Sequence, residues 1–482
     1  MSSAESREKI LINEIVEAVK SISASSFETK GYEVDLYRHL VKTSSWTEMH
    51  CAADGQMQKL DVNGQIWSDA IQEALDAHGN VIIPERDAPY YIDRPITLKS
   101  GHHLAVEGKG RVILKPGSNC CMICNNHVIC GQLGEVGLQD ADTGIVIEGG
   151  IWSTLATARG ESNGNLSGAV EAGGRTNDAF CTNGTFQLSN VNKVRIVNVT
   201  FRECRLHGIQ FSNCSQFLVE NIRFEDHRRD GVHINGPANY GIIRNISNAA
   251  GAMGDDLVAL TAWDWKHTSM TFGPIHHLFV EGVNGVSANR PDCQSEIRLL
   301  AGTKNFPDKK RLDCHIENCV FRDLSGIKTF KMYDQPNLEL GRENDYADPV
   351  GHMSGLYFRN IRLAALPDEP VFQIASNMDG ISIKDILVDF PLSSGNKLVR
   401  IGPASQTYKL GQAPSKWVEL FSPDSVCTVK GLEISLADSS YSSTDIDNLV
   451  EVVNQKINHD YPNTTPRGGT GSGVWIKGTS KN

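Results

Sequence analysis

Apolar residues recur at helical spacing in only a few places along this chain. Between Lys9 and Ile22, the positions Ile12, Ile15, Val16, Val19 and Ile22 fall on one side of an α-helix, the signature of an amphipathic segment with a face to bury. A second, shorter helix is expected over Ser68 to Ala77, with Ser68 as its N-cap. It runs through Gly79-Asn80 into the apolar strand Val81-Ile82-Ile83. From Thr143 the pattern changes. Short β-rich runs follow one another, punctuated by Asn, Gly and Asp rather than by helices.

These runs repeat. GTFQLSN begins at Gly184, HGIQFSN at His207 and DGVHING at Asp230, and Gly184, Gly208 and Gly231 read as equivalent positions 24 and 23 residues apart. A second strand follows each copy, from Val194, Phe217 and Tyr240, and the series continues to Val388. A short repeat with strands and almost no helix means a solenoid or a propeller, and propeller blades need about 40 residues. The expectation is therefore an all-β fold, a single-stranded right-handed parallel β-helix, its hand following the general rule for parallel crossovers. Asn190, Asn213 and Asn235 read as one recurring position, suited to left-handed turns and to hydrogen bonding along the stack. Beyond about residue 400 the pattern fades. Thr444 to Ile457 reads as a helix and the segment PRGGTGSGVWIKG as loop. A solenoid needs its ends covered, so short helical caps are expected at both ends, the first also a candidate contact for a homo-oligomer. The division expected is 1–48 as an N-terminal helical cap, 49–400 as the β-helix and catalytic domain, and 401–482 as C-terminal strands with a capping helix.

Composition narrows the partners. With 46 basic and 57 acidic residues the net charge is −11, the wrong sign for a nucleic acid or an anionic membrane. Glu5, Glu8, Glu14 and Glu17 interrupt the first apolar stretch, so no signal core is read there and a cytoplasmic location is expected. The 12 cysteines then read as buried thiols in a reducing compartment rather than as disulfides. The Cys-x-x-Cys at Cys121 to Cys124 lacks a second pair, and His207 and His233 fall at different phases of successive coils. No metal ion and no cofactor are expected.

The strongest local signal is RDGVHING at Arg229 to Gly236 followed one coil later by GDDLVAL at Gly254 to Leu260. With the opening AIQEAL and NVIIPERDAPYYIDRPITLKSGHHLAVEG, this resembles glycoside hydrolase family 28, the polygalacturonase group, and its pectate-lyase-like relatives, over roughly residues 50 to 390. The resemblance implies a carbohydrate substrate and an inverting hydrolysis. Asp255 would protonate the leaving oxygen, while Asp230 and Asp256 hold the attacking water. Independently, rungs of a parallel stack lie about 4.8 Å apart, so Asp230 and Asp256 can meet although 26 residues separate them. Crowded carboxylates divide acid and base roles between them. Adjacent residues of a regular strand face opposite ways, so a bulge near Gly254 is expected to bring Asp255 to the same side.

The chain departs from the family elsewhere. Where the family carries Gly-His-Gly it reads SEIRLLAG, with Glu296 and Arg298, and the family's Arg-Ile-Lys survives only as GIKTFKMY, with Lys328 and Lys331. Arg229 stands before the first aspartate, His233 just after it, and Trp263 with Trp265 could stack on a pyranose or pack in the core or a loop. Arg229, His233, Trp263, Glu296, Arg298, Lys328 and Lys331 are thus the candidate substrate contacts. Two rival readings remain: a polysaccharide lyase or epimerase, which needs a basic residue beside a uronate carboxylate, and a non-catalytic carbohydrate-binding β-helix of the tail-spike kind.

Overall fold

The computed structural model describes residues 3–23, 31–51, 56–118, 120–127, 140–155, 184–204, 207–227, 229–249, 255–263, 270–285, 296–305, 311–332, 352–363, 370–374, 377–388 and 397–401, with short strands at 429–430, 432–436, 450–452 and 474–478. The chain winds into coils whose strands pair in parallel with those of the preceding and following turn. Three ladders run along the stack. The first climbs from Ile96–Leu98 and Ile123–Asn125 through Gly184–Val197, His207–His227, Val232–Asn248, Asp256–Thr261, Glu296–Leu300 and Thr329–Met332 to Phe372–Ile374 and Val399–Ile401. A second passes through the later parts of the long strands, continuing to His352–Leu363 and Asn377–Val388. A third starts at Tyr90–Ile92 and runs through Val146–Ser153 and Thr200–Cys204. This is a parallel β-solenoid, and one continuous apolar core fills its interior from Val34 to Ile434.

The register follows from alternation. Val232 and Ile234 point into the core, so His233 between them points out. Aromatic rings stack up the interior from coil to coil, as Phe201 on Phe224 and Phe321 on Phe358. At the corners, Asn198, Asn221 and Asn245 all take positive φ; Asn245 donates its amide to Asn221, and Asn221 to Asn198, each at 3.0 Å. A neighbouring corner stacks Asn213 on Asn190 at 3.2 Å. Asn235 does not belong to that corner: it pairs with Ser212, one residue earlier, where the register shifts. Gly184 is likewise displaced, since it pairs with His207 and Thr185 takes the place beside Gly208. The three sequence copies align by their first residues, not by their glycines.

The helices depart from the expected pattern. The first, α1 (Ser3–Ser23), does not cap an end. Its residues Leu11, Ile15, Val19 and Ile22 pack on Leu218, Ile242, Phe279, Val320 and Tyr357, which belong to five successive coils. The helix is a strap laid along the flank. Its buried stripe includes Leu11, whereas Val16 is 40% exposed, because the packed positions follow i, i+4, i+8 rather than the broader face. Glu8 anchors the strap through a 2.7 Å ion pair to the buried Arg359. The N-terminal end of the core is covered instead by α2 (Ser68–His78), which sets Ala70, Ile71, Ala74 and Leu75 against the first strands. Its N-cap is Trp67 rather than Ser68; the Ser68 hydroxyl is turned to Asp93, donating to its carboxylate at 2.7 Å and accepting from its N–H at 2.8 Å.

At the other end, Val450–Val452 lies within the segment expected to be helical and is a strand on Val399–Ile401. Val474–Gly478, expected as loop, is a strand on Leu432–Leu436. Stacking on an existing rung satisfies the backbone of segments whose own pattern is weak. No helix among the described residues is long and apolar enough to cross a membrane. Cys120, Cys121, Cys124, Cys204, Cys214, Cys314 and Cys319 are buried free thiols.

Candidate active site

Two register lines on the first ladder meet around the aspartates. Along one, His207 stands beside Asp230, Asp230 beside Asp256, and Asp256 opposite Glu296 and then Thr329; Gly208 N–H donates to Asp230 and Gly231 N–H to the Asp256 carbonyl, at 2.9 and 2.8 Å. Along the other lie Gln187, Gln210, His233, Ala259, Arg298 and Lys331. A sequence separation of 23 to 40 residues thus becomes direct adjacency.

Asp230, Asp255 and Asp256 converge, with one carboxylate oxygen of each within 4.8 Å of the others. Asp255 is partly exposed, and Asp230 and Asp256 are buried. The bulge expected at Gly254 lies outside the described residues; within them the register shifts just after the pair, where Asp256 and Leu257 span the step from Glu296 to Ile297. Oxygens this close can hold one water between them at ordinary hydrogen-bond lengths. They are closer than the roughly 6.5 to 9.5 Å that separates the carboxyls of a typical inverting pair.

Each buried aspartate is held by a cation or a cation-to-be. Asp256 accepts a short hydrogen bond from Nε of Arg298. Asp230 Oδ2 lies 2.5 Å from Nδ1 of His233 and 3.9 Å from Nε2 of His207, and its Oδ1 accepts the Asp256 N–H at 3.3 Å. Burial by itself raises the Asp230 pKa, but the His233 hydrogen bond and the positive charge of His207, His233 and Arg298 outweigh it, and the carboxyl is held well below its usual range. The His207 and His233 rings stack, 4.2 Å between centroids and 5° from parallel. His227 is also buried beside this group. Neither of its ring nitrogens has a hydrogen-bond partner among the described residues, and burial pushes its pKa down to about 4 against the pull of Asp230.

The remaining candidates divide. Lys331 is buried next to Arg298 in register, while Lys328 is partly exposed just before the strand, after Gly326. Arg229 is partly exposed beside Asp230. Glu296 stands opposite Asp256 on the backbone; its side chain lies outside the described residues. Trp263 is not a stacking platform. It is 1% exposed and belongs to the interior core, in contact with Gly302, because the chain turns inward at the end of the strand Asp256–Thr261. Trp265 lies outside the described residues.

Sequence reasoning missed His207 and His227 as members of this cluster. Both lie where a coil turns, and the 23-residue step that aligns His207 with Asp230 was the signal available. No protein-family model matches the chain, and no curated protein matches it significantly. Among solved structures it is similar to the surface protein and adhesin PfbA of Streptococcus pneumoniae, at 14% identity over 84% of this chain and 92% of that one, with a TM-score of 0.43. It is also similar to a hyperthermoactive exopolygalacturonase from Thermotoga maritima, at 12% identity over 82% and 91%, with a TM-score of 0.44. No family follows from likenesses this distant.

Proposed function

We propose that this chain is a glycoside hydrolase whose reaction is carried by Asp230, Asp255 and Asp256 on a right-handed coil. The observation behind this reading is the convergence of three carboxylates from adjoining coils within 4.8 Å. Their surroundings support a division of roles. Asp230 is held ionised and Asp256 is bound to Arg298, so both suit the orientation of a water molecule. Asp255 is the partly exposed member and suits proton donation to a leaving oxygen. Arg298, with Lys331 one coil further, supplies positive charge beside the triplet, where an acidic or hydroxyl-rich sugar would lie.

The test is incubation of the purified protein with plant, fungal and bacterial glycans. New reducing ends without unsaturated products support hydrolysis. Products carrying 4,5-unsaturated uronates would replace this reading with elimination, and binding without any product would replace it with a carbohydrate-binding role.

A further inference from the structure

We infer that His207, Asp230 and His233 form a binding site for a first-row divalent transition cation. This inference stands apart from the hydrolase reading, since it needs only donor atoms. One ligating atom from each residue lies within 4.8 Å of the other two, and all three residues are buried. Two imidazoles with one carboxylate select zinc-like or copper-like ions over calcium and magnesium, which prefer all-oxygen shells.

The surroundings orient the donors. Thr261 gives its hydroxyl proton to the Ile234 carbonyl at 3.0 Å, so its oxygen accepts toward Nε2 of His233, 3.1 Å away. Asn235 flanks the same nitrogen and donates to Thr261 at 2.6 Å. In the tautomer that donates Nε2–H to Thr261, His233 matches metal-bound histidines, whose outer ring N–H is tied to a fixed acceptor. The inner nitrogen, Nδ1, then faces Asp230 Oδ2 at 2.5 Å. Between an imidazole nitrogen and a carboxylate oxygen only a proton or a cation is stable, and a bound ion takes the proton's place and releases it. Asp255 adds charge close to Asp230, as the partly exposed member of the second triplet that shares this residue. Asp256 is committed to Arg298.

The experiment uses the full chain, stripped with a chelator and dialysed. Calorimetric titration with Zn2+ should show one saturable site, weakened at least about tenfold in His207→Gln and in His233→Gln. Electron paramagnetic resonance of bound Cu2+ should show coupling to two imidazole nitrogens in the wild type and to one in each variant. Asp255→Asn should keep the two-nitrogen signature even if it abolishes hydrolysis, which separates this inference from the hydrolase reading. Absence of saturable Zn2+ binding, or wild-type affinity in both histidine variants, overturns it. Should the variants not fold, the wild-type Cu2+ spectrum decides alone: coupling to fewer than two imidazole nitrogens refutes the site.

Discussion

Replacing Asp255 by Asn keeps the side chain's size and removes its ability to give up a proton. Asp255 is partly exposed, whereas Asp256 is bound by Arg298 and Asp230 by His233. The Asp255→Asn variant should therefore fold as the wild type does and lose only chemistry, by roughly two to four decades in kcat. That loss corresponds to about 3 to 5 kcal/mol of barrier. The assay is release of reducing ends from the active glycan, with KM unchanged. A nitrophenyl glycoside needs little protonation, so much of the lost rate should return with it. Asp230→Asn and Asp256→Asn should show no such rescue and should each cost about 1.5 to 3 kcal/mol in stability, because each weakens a hydrogen bond to a charged or chargeable partner. NMR of the first product should show the inverted anomer. A retained anomer makes one of the aspartates a nucleophile, an outcome that their close spacing makes a sharp test. Equal rescue in all three variants would refute the division of roles.

Three further outcomes follow from the packing. Glu8→Ala leaves the buried Arg359 without its 2.7 Å partner and should lower denaturant stability by about 3 kcal/mol; unchanged stability would mean that the strap does not anchor there. Gly241→Ala places a methyl group 2.1 Å from the buried ring of Phe217 and should cost about 1 to 3 kcal/mol, whereas a neutral effect would refute the close approach. Stability should fall with acidification in two stages. His227 is buried neutral with its pKa pushed down to about 4, so its contribution is lost as pH drops from about 6.5 toward 4. Asp230 is held ionised, so its contribution is full above about pH 4 and lost below it. Urea midpoints across pH should show His227→Gln flattening the first stage and Asp230→Asn the second; unaltered slopes would refute the assignment.

The coil was legible in the sequence because a solenoid repeats its local pattern, and Gly184, His207 and Asp230 open three copies that do lie in register. The inward alternation of residues such as Val232 and Ile234 is equally local, since a strand's period of two needs no knowledge of its neighbours. So was the pairing of Asp230 with Asp256, once a rung spacing was assumed. What lay beyond the sequence depended on register at single-residue precision. Asn235 slipped by one residue and left the asparagine corner for the histidine network, and the register shifts again after Asp256. For Trp263 the sequence left a sugar-stacking ring and a core residue open, and its 1% exposure in the interior decides for the core. The first helix announced an apolar face but not what covers it. Only the stacked coils create the flank of Leu218, Ile242, Phe279, Val320 and Tyr357 that receives it. The histidines show the same division: 23 residues separate His207 from Asp230 along the chain, and a single rung of the ladder brings them together, because hydrogen bonding between coils turns sequence period into spatial contact.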